Sequence, residues 1–194
     1  MEKKDWTKLS FSYSKTNTVL TCLYKDGKWG PIESQSADSL NLTVFSPSLH
    51  YGMSCFEGLK AFRGADGKVR IFRPDENAKR LQSSAGFLGI PCPSEELFIK
   101  MCKQAVQENL DFLPPYELRA SLYIRPILIT TIPSINLVPQ QDGILFMVIT
   151  LPVGSYAGKV LDPIKTVIAR DYDRAAPNGS GSFKVGGNYA CAMY

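Results

Sequence analysis

The sequence predicts an α+β domain, and three observations carry that prediction. Strand-like segments rich in β-branched and aromatic residues come first, two amphipathic helical segments follow, and strands return after them. This order lacks the strand–helix alternation of a parallel doubly wound sheet. With 194 residues, 44% hydrophobic and 21% charged, the chain has an ordinary globular composition and enough length for one core plus the beginning of a second domain.

Residues 18–24 (TVLTCLY) form an apolar, β-branched run, and the Lys25-Asp26-Gly27-Lys28 that follows predicts a hairpin turn. A second hairpin is expected where 59–63 and 68–72 flank Ala65-Asp66-Gly67. Pro74-Asp75-Glu76 opens a helix, with proline in the first turn and acidic groups suited to the helix dipole. Its apolar face is Ala78, Leu81, Ala85 and Leu88. Ser94 is the expected cap of a second helix, with Glu95 and Glu96 in its first turn and Leu97, Met101, Ala105 and Leu110 as its buried stripe. Strands are predicted again over 120–130, 143–151 and 165–169. Pro126 lacks an amide donor, so a bulge or a sheet edge is expected there.

Composition narrows the function. The formal charge is +4, from 22 basic and 18 acidic side chains, and the basic residues are dispersed, so neither nucleic acid nor membrane is an expected partner. No apolar run reaches the roughly 18–20 residues of a membrane span. The opening MEKKDWTKLS is charged from its second residue and has no apolar core of a secretory leader, so the cytoplasm is the expected compartment. Five widely spaced cysteines, no C-x-x-C pair and a single histidine argue against a metal site and for idle thiols.

Four segments can carry chemistry. In Ser182-Phe183-Lys184-Val185-Gly186-Gly187-Asn188-Tyr189, Lys184 is either a loop lysine beside a glycine turn or a Schiff-base lysine. The second reading needs an unprotonated amine, which burial beside an apolar wall supplies by lowering the lysine pKa. The glycines would let backbone approach a flat ring closely, and Tyr189 would reach that ring's phenolic oxygen. The second segment is Leu49-His50-Tyr51-Gly52 with Cys55-Phe56-Glu57-Gly58-Leu59-Lys60. The third is Tyr123-Ile124-Arg125-Pro126, whose arginine, in an apolar strand, either meets a structural carboxylate or faces a pocket that receives one. The fourth is Lys79-Arg80-Leu81, unremarkable by pattern alone.

Together, the strings LHYG-x-x-x-FEGLKAFR, FRP-x-x-x-x-x-RL, YIRP and RAAP…K-x-GGNY resemble, in order and separation, the branched-chain amino-acid aminotransferases. These are class IV, D-alanine-aminotransferase-like enzymes of fold type IV that use pyridoxal 5′-phosphate. The resemblance covers about residues 30–194. It implies transamination of leucine, isoleucine and valine with 2-oxoglutarate. It implies that Lys184 is the catalytic Schiff-base lysine, that Arg80 binds the cofactor phosphate and that Tyr189 contacts the ring hydroxyl. It also implies that Phe56, Gly58 and Tyr156 line the branched-chain pocket, and that Tyr51, Tyr123 and Arg125 admit the glutamate side chain. A loop near 135–138 would reach the neighbouring subunit of a homodimer, and His50 takes a structural role. D-amino-acid aminotransferase and aminodeoxychorismate lyase are alternatives within the fold, and a non-catalytic folded fragment is a third.

The resemblance ends just past the lysine. The expected organisation is therefore an N-terminal α+β domain over 1–152, a connection over 153–163 and the beginning of a cofactor-binding domain over 164–194. On this reading the chain is a fragment of a longer parent.

Overall fold

The computed structural model describes residue 6 and residues 9–154, 163–176 and 178–193. In chain order its regular elements are β1 (Val19–Lys25), β2 (Lys28–Trp29), β3 (Glu33–Gln35), α1 (Pro47–Tyr51), β4 (Ser54–Phe56), β5 (Leu59–Arg63), β6 (Val69–Ile71), α2 (Pro74–Leu88), α3 (Glu95–Glu108), β7 (Ser121–Thr130) and β8 (Ile144–Val153). The strands form one antiparallel sheet in the order β2-β1-β8-β7-β5-β6, with β3 added to β1 and β4 to β7. Strands first, helices next and the long central strands last is the α+β order expected from the sequence.

Local chemistry explains the elements. Asp26 and Gly27 both take positive φ, 52° and 76°, which matches the twist of a two-residue hairpin turn and joins β1 to β2. The second expected hairpin is β5–β6, in register from Ala61–Ile71 to Arg63–Val69. Helix α2 starts on Pro74 with Asp75 and Glu76 in its first turn. The Ser94 Oγ caps α3 by accepting from the Leu97 N–H at 3.2 Å.

Side chains alternate along β7 and β8 with the period of two that a strand imposes. Leu122, Ile124 and Leu128 on β7, and Phe146 and Val148 on β8, are fully buried. They share a core with Leu81 and Ala85 of α2 and with Phe98, Met101 and Cys102 of α3. Tyr123, Arg125 and Ile127 alternate with that set and are only half-buried, so they belong to the other face of the sheet.

Three expectations need correction. Pro126 sits at neither an edge nor a bulge: β7 is central, and Pro126 keeps register with Val148 of β8. On its other side, β7 exchanges one neighbour for another, pairing with β4 from Ile127 on and with β5 up to Ile124. Pro126 lies in the gap, where its carbonyl accepts from the Glu57 N–H at 2.8 Å, so the missing amide hydrogen falls where the ladder is already open. The buried stripe of α3 runs through Phe98, Met101, Cys102, Ala105 and Val106, while Leu97 is half-buried and Leu110 is 39% exposed beyond the helix end. Residues 165–169 form no strand; Val167 and Ile168 are 93% and 85% exposed, with strand propensity but no paired neighbour.

Asn109, not Leu110, occupies the buried position at the end of α3. Its Oδ1 accepts from the Asn17 and Thr18 amides at 2.8 and 3.1 Å, and its Nδ2 donates to the Ala105 and Thr18 carbonyls at 2.8 and 3.1 Å. The side chain thus ties α3 to the segment leading into β1. Asn109→Ala leaves two part-buried amides and two carbonyls without these partners, and is expected to cost about 1–3 kcal/mol in urea unfolding. A loss below about 0.5 kcal/mol, the range of an ordinary surface change, would show that water replaces these bonds.

Candidate active site

The site is built around the short strand β4. One edge of β4 pairs with β7, through Cys55–Leu128 and Phe56–Ile127. Its other edge receives the lysine segment through a bridge between Cys55 and Val185, and the Phe56 N–H donates to the Lys184 carbonyl at 3.1 Å. From the helix side, the buried Ser84 Oγ accepts from the Lys184 N–H at 2.9 Å. Both backbone polar groups of Lys184 are therefore held, one by a strand and one by a helix.

The close approach depends on Gly52, which caps α1 at φ 60°. A Cβ there would stand 3.0 Å from the backbone of Gly187. The loop carrying the lysine is closed internally by Asn188, whose Nδ2 donates to the carbonyls of Ser180 at 2.7 Å and Phe183 at 2.9 Å. Phe183 stacks on Phe87 of α2 with ring centroids 4.2 Å apart.

The side-chain geometry follows from this scaffold. Lys184 Nζ donates to the Tyr189 hydroxyl at 2.7 Å and lies 4.3 Å from the centroid of the Phe56 ring. The Phe56 and Tyr189 rings are 4.9 Å apart. Arg125 places its guanidinium carbon 4.4 Å from the same Phe56 centroid, and its Nε donates to the Tyr123 hydroxyl at 3.0 Å. Among the described residues its contacts are thus a phenol and two aromatic rings, not a carboxylate. Gly58 leaves room for this arrangement, since a Cβ there would meet the Tyr123 hydroxyl at 2.5 Å.

Arg80 shares an open cleft of about 230 Å³ with Lys184, Tyr189 and Arg174. Its Nε and Nη2 each donate to the Glu57 carboxylate at 2.6 Å. That hydrogen bonding raises the Arg80 pKa above its ordinary value, against a smaller effect of burial. Two arginines, a lysine and a phenol therefore converge on one cleft, and the carboxylate touching Arg80 is committed to it.

Seven of the expected residues stand in one neighbourhood: Lys184, Tyr189, Arg80, Phe56, Gly58, Tyr123 and Arg125. Tyr51 is placed elsewhere. It is exposed, its hydroxyl donates to the Ile135 carbonyl at 2.6 Å, and it borders a second hollow with Phe87 and Gly187 that shares Arg174 and Gly181 with the lysine cleft. Tyr156 lies outside the described residues. His50 shares a hydrogen bond of 2.7 Å with the Val44 carbonyl, a structural contact. Burial raises the thiol pKa of Cys55, Cys92 and Cys102, and no metal-holding cluster of His, Cys, Asp or Glu occurs among the described residues.

Sequence reasoning assigned nothing to Glu57, Ser84 and Arg174. Glu57 and Arg174 lie inside the quoted motifs FEGLK and RAAP, and Ser84 follows Arg80 by one helical turn, a spacing that puts both on one face of α2.

No family model matches the chain. Curated relatives do match. The branched-chain-amino-acid aminotransferase of Helicobacter pylori is 45% identical over 194 residues, which is all of this chain and 57% of the relative. That of Haemophilus influenzae is 44% identical over 193 residues, 100% of this chain and 56% of the relative. The chain thus spans about half the length of the curated relatives it matches. Among solved structures, the branched-chain amino acid aminotransferase from Escherichia coli aligns with a TM-score of 0.68 and 25% identity, covering 92% of this chain and 52% of that one. The T.th. branched-chain amino acid aminotransferase with pyridoxamine 5′-phosphate aligns with a TM-score of 0.65 and 26% identity, covering 93% and 55%. By sequence along its whole length and by the fold-type IV architecture of its sheet, the chain is similar to about the first half of the branched-chain-amino-acid aminotransferases.

Proposed function

We propose that the protein carrying this chain transfers the amino group of leucine, isoleucine and valine to 2-oxoglutarate with pyridoxal 5′-phosphate. The observation that carries the proposal is the contact between Lys184 Nζ and the Tyr189 hydroxyl at 2.7 Å, against the Phe56 ring and in a cleft shared with Arg80. The donor set fits the cofactor: an amine for its aldehyde, aromatic rings beside the amine for its ring, a phenol for its hydroxyl, and clustered cations for its phosphate.

When bound, the cofactor supplies an aldehyde and an electron-withdrawing ring that stabilises negative charge at the substrate Cα. The chain supplies the rest. Lys184 Nζ is the covalent anchor and, once free, the base that takes the proton from the substrate Cα. The Tyr189 hydroxyl accepts from Nζ and so fixes where the amine points. Phe56 walls the amine with apolar surface and limits its hydration. Arg80 and Arg174 offer charge to a phosphate. Phe56 and Gly58 shape room for a branched aliphatic group, and Tyr123 with Arg125 presents a phenol and a cation to a side-chain carboxylate.

The same reading includes a homodimer acting in the cytoplasm. Val44, Phe45 and Leu49 are exposed next to Ile135 and Leu137, which are 61% and 77% exposed, and the Ser134 N–H donates to the Phe45 carbonyl at 2.9 Å. This apolar surface around 135–138 suits a subunit contact. A domain division after β8 is part of the proposal too. It is supported by the end of the sheet at Val153 and by the exposed, irregular course of 163–176.

The test is a substrate panel on the purified protein with pyridoxal 5′-phosphate and 2-oxoglutarate. Glutamate formation is expected from leucine, isoleucine and valine. Turnover of D-alanine or aminodeoxychorismate in their place would overturn the assignment. Within the panel, Arg125→Ala is expected to raise KM for glutamate and 2-oxoglutarate by about 10-fold to 100-fold, the worth of one charge-assisted contact, and KM for leucine by less than about threefold. Equal losses for both substrate types would make Arg125 a support for Phe56 and Tyr123 only.

A further inference from the structure

We infer that Glu57 is the positioning residue for Arg80, and that it sets how strongly the cleft prefers a phosphorylated cofactor; this rests on the reading of the cleft as a pyridoxal 5′-phosphate site. Glu57 is fully buried, whereas the Arg80 side chain is 57% exposed. A buried carboxylate is costly unless its lone pairs are met. Here four donors meet them. Oε1 accepts from Arg80 Nε at 2.6 Å, and Oε2 accepts from Arg80 Nη2 at 2.6 Å, Asn77 Nδ2 at 2.7 Å and the Gly58 N–H at 3.2 Å. Asn77 and Arg80 are three residues apart on α2, on the same face, so one helix supplies two of the anchors.

The pairing divides the guanidinium in two. Arginine has five N–H donors in a planar fork. The Nε–H and one Nη2–H are committed to the buried carboxylate. Among the described residues both Nη1–H groups and the second Nη2–H have no partner, and they belong to a side chain that borders the cleft with Arg174, Lys184 and Tyr189. Holding the fork in one plane removes its rotamer freedom before an anion arrives. Pro126 contributes at the backbone. Because the ladder opens at its position, the Glu57 N–H is held by its carbonyl while the side chain turns toward α2. The carboxylate also carries a negative charge that offsets part of Arg80's charge as felt by a phosphate. Positioning and charge offset therefore have opposite consequences when Glu57 is neutralised.

The test compares borohydride-trapped labelling of Lys184 by pyridoxal 5′-phosphate and by pyridoxal, which keeps the aldehyde and ring but lacks the phosphate. Rates at equal subsaturating concentrations are read by peptide mass spectrometry, and their ratio is the phosphate preference. In Glu57→Gln the ratio is expected to fall at least about fivefold, with the pyridoxal rate changed less than about twofold. A rise in the ratio would mean that Glu57 only offsets charge, and an equal fall in both rates would mean that it only supports the fold; either overturns the inference. If Glu57→Gln does not fold, as judged by circular dichroism, Asn77→Ala takes its place. This variant removes one donor to Oε2 and leaves the ion pair, so a fall of about twofold to threefold is expected and an unchanged ratio overturns the inference. A wild-type ratio no higher than that of N-acetyl-lysine would overturn the cofactor reading of the cleft itself, which no result on the variants alone can do.

Discussion

Incubation with pyridoxal 5′-phosphate followed by borohydride is expected to leave one pyridoxyl group, on Lys184, and Lys184→Ala to remove both the label and amino transfer. The expected loss in turnover is at least about 10³-fold, because covalent capture and proton transfer both pass through the same amine. The geometry argues for a single site of labelling. Lys184 Nζ is aimed by Tyr189 and walled by Phe56, and its backbone is fixed by Ser84 and by the Phe56 amide. Lys165, by contrast, lies exposed on an irregular segment. Peptide mapping decides the matter: a label on Lys165 or Lys159 that survives Lys184→Ala would sink the assignment.

Phe146→Ala is expected to be the most damaging single change to the fold. Phe146 is fully buried on β8, stacked on Phe98 with centroids 6.0 Å apart and set edge-on to Trp29 at 6.3 Å. It therefore joins the sheet, α3 and the first hairpin. Truncating such a ring costs about 3–5 kcal/mol through lost burial and the cavity left behind. For a chain of this size that corresponds to a fall in Tm of roughly 6–20 °C. Phe146 belongs to the helix-facing side of the sheet, opposite Tyr123 and Arg125, so the folded fraction of the variant should still label Lys184. A loss below about 2 kcal/mol would show that Phe98 and Trp29 close the gap.

The elements that were legible in the sequence are those long enough to show a period. Ala78, Leu81 and Ala85 mark α2 at spacings of three and four, and the alternation along 120–130 marks β7. Hairpins announced themselves through Asp26-Gly27 and Asp66-Gly67. Short elements did not. β4 has three residues and α1 five, too few to carry a period, although β4 holds the lysine segment in place. Pro126 misled because sequence shows a missing donor but not the gap between β4 and β5 into which it falls. Within the site, the lysine and its tyrosine were legible through the motif. Glu57 was not: acidic residues are ordinarily exposed, and its partners Asn77 and Arg80 lie 20 and 23 residues away. Exposed apolar residues 167 and 168 show the limit of propensity, which describes a willingness to pair and not a partner.

The placement of Arg80 and Ser84 on α2 bears on how this sequence can drift. One residue holds the buried carboxylate and the other holds the lysine backbone, and about 6 Å of helix rise separates them. Exposed neighbours such as Lys79, Gln82 and Ser83 can be exchanged among helix formers with little effect on that spacing. Loss or gain of a single residue between 80 and 84 is different, because it turns one anchor by about 100° relative to the other. Homologous chains are therefore free to vary at the exposed positions 82 and 83 but not in the length of this stretch, and an alignment gap there would mark a chain in which the cleft is no longer assembled.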